Sequence, residues 1–310
     1  MTIYHVPRPI LFVACIAVFM ATFAAPATAE NPRYGRMTLG ELTVIVLSDG
    51  YHDIESSVFV TPTAEQATAL KLIYPGGRAH NSLNVVLVQS RQGILLVDTG
   101  GGKLLGPNVG GLQNVLATLG VTPESVSHVI LTHAHRDHIG GLAHQGRAAF
   151  PRAQVYISKA EHAFWSNPQN EGKVPERTRG TFTALRDMLG PYAGRVTMVD
   201  PGQEVFPGVK ILDAHGHTPG HIAVLLESKG QRLLIWGDLL HGLELQTAQP
   251  QIATTFDVNP VEAAAFRSAL LARAVQENWL VTGVHVPQPD VYSLRPAGKG
   301  FSAQPQHINR

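Results

Sequence analysis

The chain has 310 residues, of which 44% are hydrophobic and 15% charged, and its formal net charge is +1. That length suffices for one large domain or two small ones with a substantial core. The sparse, balanced charge gives no sign of a nucleic-acid, membrane-surface or acidic partner.

In chain order, "RPILFVACIAVFMATFAAPATAE" comes first, with one arginine, an apolar run and the small-residue pattern Ala27-Thr28-Ala29. Residues 1–29 read as a secretory signal peptide cleaved before Glu30. The run from Pro9 to Ala25 is interrupted by Thr and Pro, and it falls short of the roughly 20 residues that a membrane span needs. Cleavage removes Arg8, leaving 23 basic against 23 acidic residues, and removes Cys15, the sole cysteine. The expected mature chain, 30–310, is therefore periplasmic or secreted, free of the membrane and without a thiol. Any metal must be held by nitrogen and oxygen.

From Gly40 onward, short β-branched runs alternate with glycine-rich turns: "LTVIVLSDG", "NVVLVQS", "GILLVDTGGG", "SHVILTHAH", "AQVYIS", "VKILDAHGH", "IAVLLES", "RLLIWGD" and "NWLVTGVH" each read as a strand. Helices are expected over 112–119, 159–165 and 260–277, the last with Asn259 as N-cap and Pro260 at its first position. Residues 160–194 interrupt the strand rhythm and read as a helical insertion between two halves of a single domain. The tail after Val286, rich in Pro, Gly and polar residues, is expected to wrap the surface. Strands outnumber helices and both halves carry polar loops at strand ends. The expected fold is an α/β four-layer αββα sandwich, two sheets face to face with helices outside.

The chemistry concentrates in "VILTHAHRDHIGGL", where an apolar run feeds four ligand-type residues, His133, His135, Asp137 and His138. A solvated polar loop is the plain alternative, but the placement after a buried strand favours a metal site. The pattern suits two neighbouring ions, His133 and His135 serving one while Asp137 and His138 serve the other. Imidazole and carboxylate suit zinc and related divalent metals. Four ligands do not complete two sites. Further candidates stand at other strand ends: His215, His217 and His221 in "ILDAHGHTPGHIAVLL", Asp238 in "LLIWGDLLH" and His285 in "WLVTGVHV".

The order "LLVDTG", "THAHRDHIGGL", "GHTPGH", "GD" and a late His resembles the metallo-β-lactamase fold superfamily over almost the whole mature chain. "GELTVIVLSDG", "LLIWGDLLH" and "TTFDVNPVEAAAFR" are similar to the exported branch that contains methyl parathion hydrolase, lactonases and arylesterases. The resemblance implies two metal ions, zinc first. One would be held by His133, His135 and His217, the other by Asp137, His138 and His285, with Asp238 bridging both. "DAHGHTPGH" departs from relatives that carry Pro at the position of His215, so His217 is preferred as the ligand.

The implied activity is hydrolysis of lactones, aryl esters or phosphotriesters by a hydroxide bridging the two ions, with Asp238 orienting it and Asp137 as a further catalytic carboxylate. A β-lactam hydrolase of the same fold and a non-enzymatic periplasmic metal-binding protein are the alternatives. A flavodiiron oxidoreductase needs Glu where His135 stands. The small-molecule substrate is expected to be neutral and fairly apolar, and a homodimer stays open. Asp98 reads equally as support for a ligand imidazole or as a turn cap. His221 reads as structural and His241 as a lesser candidate for the site. His80, His128, His144 and His162 default to surface or packing, and Gly100–Gly102 to a tight turn beneath the site. Phe164, Trp165 and Phe182 could line a pocket or pack the core. Tyr51, Tyr74, Tyr192 and Tyr292 are unranked candidates for stabilising an oxyanion.

Overall fold

Alternating valine and leucine side chains along the central strands point to opposite faces, and both faces are buried in the computed structural model. The structure describes Met1 and residues 33–287, 290–306, 308 and 309. The expected signal peptide lies outside the described residues. Among them, no helix is long and apolar enough to cross a membrane.

One seven-stranded sheet runs in the order Tyr34–Leu39, Leu42–Tyr51, Ser82–Ser90, Gly93–Val97, Val126–Leu131, Gln154–Ser158, Val196–Val199. A second runs Glu204–Phe206, Val209–Asp213, Ile222–Ser228, Gln231–Ile235, Leu280–Thr282, Tyr292–Ala297, Gly300–Pro305. Val44, Val46, Val86, Val88, Leu95 and Val97 of the first meet Val209, Ile211, Val224, Leu226, Leu233 and Ile235 of the second in one apolar layer. The opposite face of the first sheet, with Ile45, Leu47, Val85 and Leu87, packs on the helices Leu112–Thr118 and Gly180–Leu189. The opposite face of the second, with Ala223, Leu225 and Leu234, packs on Pro260–Gln276. This is the four-layer αββα sandwich. Burying each strand on both faces is why the strands read as nearly continuous apolar runs.

The helix Pro260–Gln276 begins as its sequence dictates, with the Asn259 side chain accepting the Glu262 N–H at 3.3 Å. Two expectations change. Residues 160–194 do not separate the halves; they form the crossover between the parallel neighbours Gln154–Ser158 and Val196–Val199 within the first sheet. The tail does not merely wrap the surface, because Tyr292–Ala297 and Gly300–Pro305 pair as an antiparallel hairpin that extends the second sheet. A helix at Ala64–Ile73, unexpected from apolar periodicity, is announced by a Thr63–Gln66 capping box.

Candidate metal centre

Both sheets deliver loops to one edge of the sandwich. The strand Val126–Leu131 ends at Thr132, and His133, His135, Asp137 and His138 follow through a tight turn into the short helix Arg136–Ile139. From the second sheet, Val209–Asp213 leads to His217, Gln231–Ile235 to Asp238, and Leu280–Thr282 to His285. Gly237, at φ +56°, allows the sharp exit from the strand. A Cβ there would collide with the His221 ring and Thr132.

Two groups of possible ligands result. His133, His135, His217 and Asp238 offer atoms that all lie within 4.8 Å of one another, and so do Asp137, His138, Asp238 and His285. Asp238 belongs to both. Its Oδ1 lies 3.0 Å from His138 Nε2 and 3.1 Å from His285 Nε2, while its Oδ2 lies 3.3 Å from His217 Nε2 and 3.7 Å from His133 Nε2. All seven residues expected from the sequence are therefore together, in two groups that share Asp238. His215 is not among them; it turns outward to Asp213 at 2.8 Å.

The outer nitrogens are fixed. His138 Nδ1 donates to Asp98 Oδ2 at 2.8 Å, His217 Nδ1 to Asp257 Oδ1 at 2.9 Å and His285 Nδ1 to the Ser82 carbonyl at 2.9 Å. Each imidazole is thereby set with Nε2 facing the shared centre, the arrangement of a metal-binding histidine held by an outer acceptor. Asp98 also accepts the Thr132 N–H and hydroxyl, both at 2.8 Å, so it supports the centre as well as its own turn. It does so at φ +63°, unusual for a non-glycine residue. His221, as expected, is structural: it accepts the Asp238 N–H at 2.9 Å and donates to the Ala214 carbonyl.

The fit to a cation is tested by the inward atoms. His133 Nε2, His138 Nε2 and Asp238 Oδ1 are buried without a hydrogen-bond partner of acceptable geometry, and His135 turns its Nδ1 inward, 3.0 Å from His217 Nε2. Such atoms are costly unless satisfied, and divalent cations would satisfy all of them at once. Electrostatics agrees. Burial, reinforced by neighbouring imidazoles, pushes His133 and His135 well below the usual histidine range, keeping them as neutral bases. For His138 and His285, burial opposes the charge but the surrounding carboxylates outweigh it. His138 rises well above its ordinary value and His285 to about 10. His217 rises to about 9, where bonds to Asp238 and Asp257 overcome burial. Burial likewise opposes ionisation of Asp137 and Asp238, yet the facing histidines hold both below the carboxylate range. The carboxylates that draw protons into this centre equally draw cations, which must displace those protons.

Sequence reasoning misses two supports. Glu161, fully buried, accepts the Ala134 N–H, the Trp165 indole N–H, the Thr218 hydroxyl and the Gly220 N–H at 2.7–2.9 Å, tying the loops of His133 and His217 together. Asp257 is visible only as part of "TTFDVNP", and no local pattern marks either residue.

The centre opens into a cleft of ≈ 570 Å³ whose walls include Ile54, Val58, Leu105, Phe256, Arg136 and Arg177. Trp165 and Phe182 instead pack in the core, and Phe164 packs against it. Among the described residues, no tyrosine lines the cleft. Tyr192, one of the four candidates, is buried and donates to the Leu142 carbonyl at 2.8 Å while accepting the Phe150 N–H at 3.0 Å. His241 does line the cleft, with Nε2 3.1 Å from Asp238 Oδ2.

A sandwich with two histidine and aspartate groups sharing one carboxylate defines the class. The model of the metallo-beta-lactamase superfamily matches residues 81–294, and the chain belongs to that superfamily. It is similar to an N-acyl homoserine lactonase of a Bacillus species, 27% identical over 162 residues that cover 46% of this chain and 57% of the relative. The corresponding lactonase of Bacillus cereus is 27% identical over 124 residues, covering 40% of this chain and 42% of the relative. The chain thus spans about half the length of the curated relatives it matches. Among solved structures, the hydrolase AbOPH of the beta-lactamase superfamily superposes with a TM-score of 0.83 at 27% identity, covering 89% of this chain and 98% of the other. AidC, a dizinc quorum-quenching lactonase in complex with an N-acyl homoserine product, gives 0.82 at 26% identity with the same coverage.

Proposed function

We propose that this chain is a dinuclear, zinc-dependent hydrolase of lactones and aryl esters, with phosphotriesters as further substrates. The single observation that carries the reading is Asp238, one carboxylate shared by two complete ligand groups. Likeness to AidC and AbOPH along nearly their full length supports hydrolysis, and the AidC product supports a lactone first.

His133, His135, His217 and Asp238 would hold one ion, and Asp137, His138, His285 and Asp238 the other. Ions held there would supply activated water at neutral pH and polarise the electrophilic oxygen. The protein's share is geometric. Asp98, Asp257 and the Ser82 carbonyl fix three imidazoles by their Nδ1 atoms, so those ligands need not reorganise during turnover. Asp238 sets the spacing between the two groups. The apolar wall of Ile54, Val58, Leu105 and Phe256 sheds water from the bound substrate body. Water adds to the carbonyl carbon, the ester C–O bond breaks, and the products are a carboxylic acid and an alcohol or phenol.

The test is a panel of a lactone, an aryl ester, a phosphotriester and a chromogenic cephalosporin, with zinc-loaded and chelated protein. Turnover of the lactone and aryl ester that chelation abolishes supports the reading. Turnover of the cephalosporin alone replaces it with a β-lactam hydrolase, and no turnover by protein carrying two ions leaves a metal-binding protein. We further propose that the signal-like segment 1–29 directs this chain out of the cytoplasm.

A further inference from the structure

The cleft contains four acidic side chains and two arginines, and they are not equally matched. Glu55 pairs with Arg78 at 3.4 Å, and Asp53 accepts a hydrogen bond from His80 at 2.9 Å. Asp137 and Asp238 face the two ligand groups, where two divalent cations would more than neutralise them. Arg136 and Arg177 are different. Among the described residues, no carboxylate lies within ion-pair distance of either guanidinium, although both line the same cleft.

Arg177 is also placed. Its guanidinium carbon sits 5.1 Å from the centroid of Phe256, and that ring lies 5.2 Å from the ring of His241, which contacts Asp238. The path from the centre to Arg177 is thus one imidazole and one phenyl ring long. Stacking on an aromatic face restrains an arginine while leaving its N–H edge free to donate. Arg136, half-buried and resting against Gly180, adds a second cation to the same cleft. Two guanidinium groups with no carboxylate partner, beside a centre that would hold two divalent cations, make this end of the cleft a place that draws anions.

Resting on the hydrolase reading above, we propose that Arg177, assisted by Arg136, binds an anionic group of the substrate, so that the preferred ester or lactone carries a carboxylate about two ring-widths from its reactive carbonyl. The apolar wall accommodates the body between the two ends. This replaces the neutral substrate expected from the sequence with an anionic one whose body is still apolar. Arg136, which stands between the ligand candidates His135 and Asp137, becomes part of the recognition surface.

The experiment compares phenyl acetate with 4-carboxyphenyl acetate in the metal-replete protein, the Arg177→Gln variant and the Arg177→Lys variant, with metal content measured in each. Terephthalate, a rigid dicarboxylate, is titrated calorimetrically into the same proteins. The protein is expected to favour the carboxylated ester, and Arg177→Gln to lower the ratio of the two kcat/KM values about tenfold, chiefly through KM, as expected for losing one charge-assisted contact. Terephthalate affinity should fall by a similar factor, and Arg177→Lys should restore part of both. Equal kcat/KM for the two esters in the unaltered protein, or equal loss on both esters in Arg177→Gln, overturns the proposal. If neither ester is turned over, the hydrolase reading fails for esters, and terephthalate still decides: affinity unchanged by Arg177→Gln overturns the anion site, whereas weakened affinity upholds it.

Discussion

Asp257 Oδ1 accepts the Nδ1–H of His217 at 2.9 Å, and its Oδ2 accepts the Thr254 N–H at 2.8 Å with Arg267 at 3.9 Å. Burial opposes charge on Asp257, yet the bond to His217 and the nearby Arg267 hold its carboxyl down at about 2. The carboxylate is thus ionised, anchored at its far side, and available to orient one imidazole.

Replacing that anchor should loosen the centre without removing a ligand. Asp257→Ala is expected to weaken binding at the site containing His217 by about 10–100-fold, because the ring loses its fixed tautomer and orientation. Zinc titration against a chelator of known affinity measures this. Unchanged affinity would show that packing against His135 and His241 orients His217 unaided.

The shared carboxylate should behave differently. Asp238→Asn keeps the shape but removes the charge and one of two equivalent oxygens. The variant is expected to retain fewer than two ions and to lose at least about 100-fold in turnover, at the upper end of what loss of a mere supporting partner costs. Metal stoichiometry by elemental analysis, alongside lactone or ester turnover, checks both. Two tightly held ions in the variant would remove the bridging role.

The candidate ligands are legible in the amino-acid order, although only the family resemblance singles out His217 from His215 and His221. Apolar runs ending in His or Asp mark strand ends at one edge, and His133, His135, Asp137, His138, His217, Asp238 and His285 converge there. The N-cap at Asn259 is equally local. What stays hidden depends on partners distant in sequence: Asp257 is 40 residues from His217, and Glu161 is 57 from Thr218. Nothing near either distinguishes it from a surface acid. Trp165 and Phe182 stay undecided in sequence for the same reason, since an aromatic in a helix fits a core or a pocket equally well; they pack in the core, and Phe256 and Arg177 line the cleft at the metal centre. The closing hairpin after Val286 is obscured by its prolines and polar residues, which an edge position tolerates.

Glu161 gives a stability prediction. Removing its carboxylate leaves the Ala134 and Gly220 N–H groups, the Trp165 indole and the Thr218 hydroxyl without their acceptor inside the protein. Each such loss costs about 1–3 kcal/mol, partly recovered where water enters. Glu161→Ala is therefore expected to lower the unfolding free energy by about 3 kcal/mol or more, and to loosen the ion site containing His133 and His217. Urea unfolding of the two proteins reads the first effect. A loss under about 1 kcal/mol would mean that the loops hold each other without it.

Tyr192 provides the pH dependence. Burial pushes its phenol up to about 12, against partial relief from the Phe150 N–H and the nearby Arg195. Its folded value exceeds the ordinary value of 10, so the fold favours the protonated phenol. The corresponding stability is fully present below pH 10 and is lost as pH rises toward about 12. Tyr192→Phe removes both this titration and the bonds to Leu142 and Phe150. The variant should be less stable than the parent at pH 8 by about 1–2 kcal/mol, and the gap should shrink as the parent weakens between pH 10 and 12. Urea midpoints for both proteins across that range decide the matter. A gap that stays constant or widens with alkalinity would show that Tyr192 does not ionise on unfolding in this window.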